Sequence, residues 1–373
     1  MRIGYDAKRL FHNDTGLGHY SRTLIQSLQK EDTHFKACLF DSSPVDNMLT
    51  APFFNPQKFQ IVRTGKPSWY YRSINLNKYI IRHDIQLFHG LSNELPVNSL
   101  PSGIPRIVTV HDVLFKSFEE DFPWHDRWIY ELKTRLALQR SDLVITISEA
   151  SKRDILKHYD VKEEKIRVIY QSYDPIFDTA VIAHQLIETR NLLKVPSTYL
   201  LYVGSITHRK NLMVIVRALQ KMSVSERIPL LVLGEGGRYQ KQIKEYIHAH
   251  RLENWVYFLP DLPRTQIRIL YAGAEMLIYP SLGEGFGLPV LEGIAANIPV
   301  ITSDRYSLPE AGGEVAYYVD PLNAEALKDM ILQVDRNPHR ANYEQRRKEH
   351  LSKFSRSAIA RIYLDQVYGP LLG

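Results

Sequence analysis

A single cysteine, Cys38, stands in 373 residues, which excludes an internal disulfide framework and any zinc site built from several cysteines, and points to a reducing compartment. No apolar run approaches the roughly 18 residues that a membrane-spanning helix requires. Nor do the first residues read as a secretory signal, because Arg2, Asp6, Lys8 and Arg9 put charge where an apolar stretch would lie. The expectation is a soluble, cytoplasmic protein. Fixed-period repeats and low-complexity stretches are also missing, so solenoids, propellers and disordered tails are set aside.

What remains is rich in core-forming material: 44% of the residues are hydrophobic and 24% charged. At about 150 residues per domain, that length suggests two domains. The net charge is +6, but the excess forms no basic arm. Residues 1–175 carry 24 basic and 21 acidic side chains, and the remainder 23 and 20. Such a balance argues weakly for nucleic acid, which is not expected as a partner, and suits a phosphate-bearing small substrate or an anionic membrane face.

Short apolar runs alternate with longer helical stretches, the pattern of α/β proteins with parallel sheets. The first half predicts strands at Arg2–Tyr5, Lys36–Phe40, Ile85–His89, Arg106–His111, Leu143–Ile147 and Ile166–Ile169. After Asp174-Pro175 the pattern restarts, with strands expected at Tyr199–Gly204, Pro229–Gly234, Val256–Leu259, Met276–Tyr279 and Pro299–Thr302. The boundary between the two halves is expected near residue 175. In parallel sheets ligands collect at the carboxyl ends of the strands, where loops feed helix N-termini. Motifs at those ends therefore carry most weight.

The strongest such segment is Pro280-Ser281-Leu282-Gly283-Glu284-Gly285-Phe286-Gly287-Leu288-Pro289-Val290-Leu291-Glu292. It leaves a strand, passes three glycines that let a ligand approach the backbone, and enters a helix with Pro289 near its start. Unpaired N–H groups at that helix start favour an anion, and Glu284 and Glu292 border the same place. Arg209 and Lys210 lie just past the strand Tyr199–Gly204, at a helix start where positive charge is unfavourable beside the helix dipole unless an anion binds there. Gly16-Leu17-Gly18, ahead of a helix running to about Gln29, reads as a second anion-accepting turn. His111 ends its strand, and its ring is expected to point out from the strand end, where a neutral imidazole accepts a proton or a hydrogen bond. By contrast Gly234-Glu235-Gly236-Gly237 is not a dinucleotide turn, since the third glycine of that fingerprint falls on Tyr239.

The pair Glu284/Glu292 around Gly-Phe-Gly-Leu-Pro resembles the signature of family 4 retaining glycosyltransferases. Gly16-Leu17-Gly18-His19-Tyr20, Val110-His111-Asp112, Ile147-Ser148-Glu149-Ala150-Ser151, Gly204-Ser205-Ile206-Thr207-His208-Arg209-Lys210-Asn211 and Ser307-Leu308-Pro309-Glu310 agree with it. The combination is similar to the mannosyltransferase-like subgroup of bacterial surface polysaccharide synthesis. The resemblance implies a GT-B fold: an α/β chain of two facing Rossmann-like domains with the active site in the cleft between them. An acceptor domain is then expected over 1–175, a nucleotide-sugar donor domain over 176–354, and a C-terminal helix, 355–373, packing back on the first.

It further implies retaining, metal-independent transfer of a hexose, with mannose from GDP-mannose as the best guess, to a glycan or lipid-linked saccharide, with no cofactor. Arg209 and Lys210 would take the charge of the leaving diphosphate, in keeping with the lack of an Asp-x-Asp metal clamp. Glu284 would hold sugar hydroxyls, Glu292 the ribose, and the amides of Phe286, Gly287 and Leu288 sugar or phosphate oxygens. Gly16 and Gly18 would face donor phosphates or acceptor, and His111 the transferred sugar. Pro260 stands where the family commonly has a glycine near the nucleotide base, so no amide reads the base there. A sugar-nucleotide hydrolase or epimerase of the same fold, and a non-catalytic nucleotide- or glycan-binding partner, are the rival readings. Lys66–Arg72, Lys78–Arg82 and Phe122–Trp128 mix aromatic with basic residues. They suit peripheral contact with an anionic bilayer at the inner face of the plasma membrane, or amphipathic helices that pack their aromatics inward.

Overall fold

The computed structural model describes residues 1–64, 76–96, 103–334 and 342–372. The chain divides into two compact units, Met1–Ser172 with Phe354–Gly373, and Tyr173–Lys353.

The first unit is built on a seven-stranded sheet: β1 Arg2–Asp6, β2 Lys36–Asp41, β3 Phe59–Arg63, β4 Leu87–Gly90, β5 Arg106–Val110, β6 Leu143–Thr146 and β7 Ile166–Val168, in the order β3-β2-β1-β4-β5-β6-β7. Every neighbouring pair is parallel. Its inner strands β4, β5 and β6 are short, apolar and buried along almost their whole length, as helix-covered parallel sheets require. The strand order reverses between β1 and β4, which makes their carboxyl ends the crevice of this sheet. The C-terminal segment belongs to this unit. Ile359, Ala360, Tyr363, Val367 and Tyr368 share the core of Ile3, Tyr5, Leu24 and Leu28, so residues far apart in sequence close one apolar cluster.

The second unit carries six parallel strands: β8 Leu200–Val203, β9 Leu230–Leu233, β10 Val256–Leu259, β11 Met276–Tyr279, β12 Val300–Ser303 and β13 Tyr317–Val319, in the order β10-β9-β8-β11-β12-β13. Here the order reverses between β8 and β11. The helix Leu212–Lys221 turns a continuous apolar face onto this sheet, with Leu212, Ile215, Val216 and Leu219 fully buried.

Two strands lie outside the sequence reading, β3 and β13. In β3 exposed Gln60 and Arg63 interrupt the apolar run, and in β13 Tyr317 and Tyr318 are only half-buried, so neither carries the continuous apolar run that marks the central strands.

Candidate active site

The reversal point of the second sheet gathers the strongest sequence motifs. From β8 the chain passes Gly204 to the Arg209–Asn211 turn, and from β11 it passes Pro280 into the glycine loop. The two loops are stitched together. The Leu282 amide donates to the Arg209 carbonyl at 2.7 Å, Arg209 Nη1 to the Gly283 carbonyl at 2.6 Å, and Asn211 Nδ2 to the Pro280 carbonyl at 3.2 Å. Gly204 adopts φ +144°, and a Cβ there would sit 3.3 Å from Lys210 Nζ, so its bareness makes room for the lysine. Gly287 takes φ +111° as it starts the helix Leu288–Ala295, and a Cβ would meet Leu308 Cδ2 at 2.7 Å. Ser307 Oγ shares its proton between the Glu284 and Phe286 carbonyls, at 2.7 and 2.9 Å, and pins the loop from the far side.

Within this frame Glu284 is held at both oxygens. Oε1 accepts from Tyr279 OH at 2.9 Å, Ser281 Oγ at 2.8 Å and Lys210 Nζ at 3.1 Å, and Oε2 lies 2.9 Å from Arg209 Nη1. Tyr279 OH also accepts from Lys210 Nζ at 2.6 Å. Burial alone would push the Glu284 carboxyl up, but the Arg209 and Lys210 charges and the Ser281 hydrogen bond outweigh it and hold the pKa down at about 2. The site therefore keeps an ionised carboxylate and two cations, all largely out of water.

Glu292, in the second turn of the helix Leu288–Ala295, anchors a separate group. Its Oε1 accepts from Arg264 Nη2 at 3.0 Å and its Oε2 from Tyr271 OH at 3.1 Å, and Arg264 Nε lies 3.2 Å from Asp174 Oδ2. Burial raises the Glu292 carboxyl above its ordinary value, and the single guanidinium of Arg264, with Tyr271, offsets this only in part. Two carboxylates eight residues apart thus have opposite electrostatic settings.

Tyr279, Ser281, Arg264 and Tyr271 escape the sequence reading. Ser281 sits inside the motif and Tyr279 ends β11 just ahead of it, positions that could have flagged them. Arg264 had no such signal, because its partners lie 28 residues away and across the 174–178 connector.

In the first unit the structure corrects two expectations. Gly16 and Gly18 form no open turn; they are the first residues of the helix Gly16–Glu31. The Gly18 amide is already taken by Asn13 Oδ1 at 3.0 Å, and a Cβ at Gly18 would fall 1.7 Å from the Asn13 carbonyl oxygen. The bareness of Gly18 answers this close backbone approach. His111 follows the end of β5 with its ring turned inward, 5% exposed. Nε2 lies 2.9 Å from the Leu91 carbonyl, which can only accept, so Nε2 carries the proton and Nδ1 accepts from Gln171 Nε2 at 3.1 Å. Burial lowers its pKa to about 4. Both ring nitrogens are engaged within the protein, so the ring pointing outward from the strand is not observed. The backbone at His111 is clamped as well, its amide by Asn93 Oδ1 at 3.1 Å and its carbonyl by Ser151 Oγ at 2.9 Å.

A second buried histidine, His89 at β4, joins a network that the sequence did not announce. His89 Nδ1 lies 2.8 Å from Tyr368 OH and Nε2 2.9 Å from Thr109 Oγ1. Tyr5 donates to Tyr368 at 3.0 Å, and Tyr20 OH lies 2.7 Å from Tyr363 OH.

Of the mixed aromatic and basic segments, Lys66–Arg72 lies outside the described residues. Lys78–Arg82 falls in the helix Leu76–Arg82, which buries Ile80. Phe122–Trp128 opens the helix Trp124–Arg140, where Trp124 and Trp128 are 78% and 65% exposed. The inward packing of aromatics therefore fails for these two tryptophans. Nearby charges are mostly paired, Arg127 with Glu119, Lys116 and Arg135 with Glu131, and Lys133 with Glu94. Among the described residues no helix is long and apolar enough to cross a membrane.

Known proteins resemble the chain over both units. Residues 15–176 match the family model described as Glycosyltransferase Family 4, and residues 185–350 the model described as Glycosyl transferases group 1. The O-antigen chain mannosyltransferase B of Escherichia coli is 27% identical over 349 residues, covering 89% of this chain and 90% of that protein. The O-antigen chain mannosyltransferase RfbU of Salmonella typhimurium is 29% identical over 233 residues, 62% of each chain. A solved glycosyltransferase structure from Rickettsia africae superposes with a TM-score of 0.76 at 19% identity, covering 100% of this chain and 98% of that one. At that identity the likeness is one of fold.

Proposed function

Starting from the premise that this chain belongs to the family 4, group 1 glycosyltransferases of GT-B fold, we propose that it transfers mannose from GDP-mannose, with retention and without a metal, to a glycan or lipid-linked saccharide in cell-surface polysaccharide synthesis. The observation that carries this reading is the Glu284–Arg209–Lys210 group at the reversal point of the second sheet. The names of the two mannosyltransferase relatives support the choice of sugar.

The chemistry follows from charge. The bond between the anomeric carbon and the diphosphate oxygen breaks with its electron pair leaving on that oxygen. Arg209 and Lys210 meet the negative charge where it develops, with the fork of a guanidinium and the point charge of an ammonium. The acceptor hydroxyl bonds to the anomeric carbon on the face the diphosphate leaves, and its proton passes to a phosphate oxygen. Glu284, kept ionised, would accept from sugar hydroxyls and favour positive charge building on the ring. Glu292, with lone pairs left beside Arg264 and Tyr271, would take the ribose hydroxyls. The amides of Phe286, Gly287 and Leu288 would bind sugar or phosphate oxygens at the helix start.

The positive charge at the site comes from the side chains of Arg209 and Lys210, which supports transfer without a metal. His111, its ring engaged internally, would act by positioning the β5 end rather than as a base. Trp124 and Trp128 would rest in the interfacial zone of a membrane that presents a lipid-linked acceptor.

A panel of nucleotide sugars, tested first by calorimetry and then by product analysis with and without a chelator, checks the proposal. A new α-linked mannoside formed from GDP-mannose in chelator is the expected result. Free mannose alone, or selective turnover of another donor, overturns it.

A further inference from the structure

Arg209 and Lys210 do not wait empty for a diphosphate. Their side chains are 14% and 13% exposed, and both already contact the one carboxylate of Glu284. That carboxylate is itself anchored independently of them, by Tyr279 OH and Ser281 Oγ. An anion fixed beside the phosphate-binding cations has two effects. It stabilises two largely buried positive charges when no ligand is present, and it repels a diphosphate that comes to share them.

We propose that Glu284 is the resident counter-anion of the diphosphate site: it satisfies Arg209 and Lys210 in the empty protein, weakens their hold on the spent nucleoside diphosphate, and so promotes product release. Tyr279 and Ser281 keep it in place, so that it stays when the cations turn to phosphate. Tyr279, which accepts from Lys210 while donating to Glu284, links the two partners that must exchange. The inference rests on the reading that Arg209 and Lys210 grip a diphosphate, and it adds to Glu284 a role opposite in sign to ligand binding. A residue that only holds sugar would leave pyrophosphate affinity untouched when removed.

Calorimetry with inorganic pyrophosphate on the full-length protein separates these cases. Glu284→Gln should bind pyrophosphate at least about 10-fold more tightly than the parent protein, because an anion worth a tenfold change per about 1.4 kcal/mol no longer competes. Its melting temperature without ligand should fall, and added pyrophosphate should raise it by more than it raises that of the parent, since the ligand replaces the missing negative charge.

Should Glu284→Gln not fold, the double variant Lys210→Met with Glu284→Gln removes one charge of each sign. It should bind pyrophosphate within about threefold of the parent, while Lys210→Met alone loses about tenfold or more. Equal or weaker binding by Glu284→Gln, or a double variant as weak as Lys210→Met, overturns the counter-anion role while leaving the diphosphate site standing. If neither the parent nor a folded Glu284→Gln binds pyrophosphate, the diphosphate site itself falls, and this role with it.

Discussion

At the scale of single residues, two carboxylates in one motif have been given different tasks by their neighbours. Glu284 meets two cations and two hydroxyl donors and stays ionised, whereas Glu292 meets one guanidinium and one phenol and is pushed up by burial. Lys210→Ala should therefore cut kcat by about 10²-fold or more with donor affinity reduced as well, since it removes charge stabilisation at the leaving group. A steady-state assay with kcat unchanged would remove Lys210 from the chemistry. Glu292→Ala should chiefly raise the donor's Kd, by about 10-fold for a lost pair of charge-assisted hydrogen bonds. Normal donor affinity would end its ribose assignment. The motif residues that carry the charges were legible because their types and their positions after strands suffice to suggest them. Tyr279, Ser281 and Arg264 were not, since a tyrosine or arginine reveals its task only through the direction of its side chain.

At the scale of elements, glycines of one sequence motif turn out to do unlike work. Gly18 touches the Asn13 backbone, while nothing lies within 4 Å of the place a Gly16 Cβ would occupy. Gly18→Ala should cost more than about 2 kcal/mol in urea unfolding, as overpacking against backbone cannot relax, and Gly16→Ala should stay within about 0.5 kcal/mol of the parent. Equal effects would contradict the close approach of Gly18 to the Asn13 backbone. The exposed tryptophans give a second test: Trp124→Ala with Trp128→Ala should reduce co-sedimentation with anionic vesicles while leaving transfer to a soluble acceptor analogue intact. Unchanged sedimentation would remove the membrane contact. Strand and helix order in each half was readable from the alternation of apolar runs, the edge strands β7 and β10 included, but β3 was not, because exposed Gln60 and Arg63 break its run, nor β13, whose two tyrosines are only half-buried.

At the scale of the molecule, the first unit is closed by the end of the chain. The C-terminal segment delivers Tyr363 and Tyr368 to buried Tyr20, Tyr5 and His89, so Tyr368→Phe should destabilise the protein by about 1–3 kcal/mol by leaving polar groups of Tyr5 and His89 unpaired. Burial also holds His89 and His111 neutral, with pKa values of about 3 and 4. Below pH 6.5 the unfolded chain then binds protons that the folded chain refuses, so stability falls with pH, each histidine adding up to about 1.4 kcal/mol per pH unit. Urea midpoints measured between pH 7.5 and 5 should show this decline, and His89→Gln, which keeps hydrogen bonding but cannot titrate, should flatten it. An unaltered slope would mean that His89 is not held neutral.

The sequence by itself determined the alternation of short apolar strands with helices, the placing of Glu284, Arg209 and Lys210 in loops that follow strands, and that of Glu292 in the helix beyond. These follow from local periodicity and from the few residue types that can bind an anion or a sugar. Only the tertiary structure decided that Glu284 already occupies both cations, that Arg264 and Tyr271 frame Glu292, that the His111 ring is engaged inward, and that the chain's end completes the core begun by β1. The physical reason is that hydrogen bonds, ion pairs and desolvation depend on which side chains the fold brings within about 3 Å of one another. Residues distant along the chain acquire those neighbours only when the sheets are assembled.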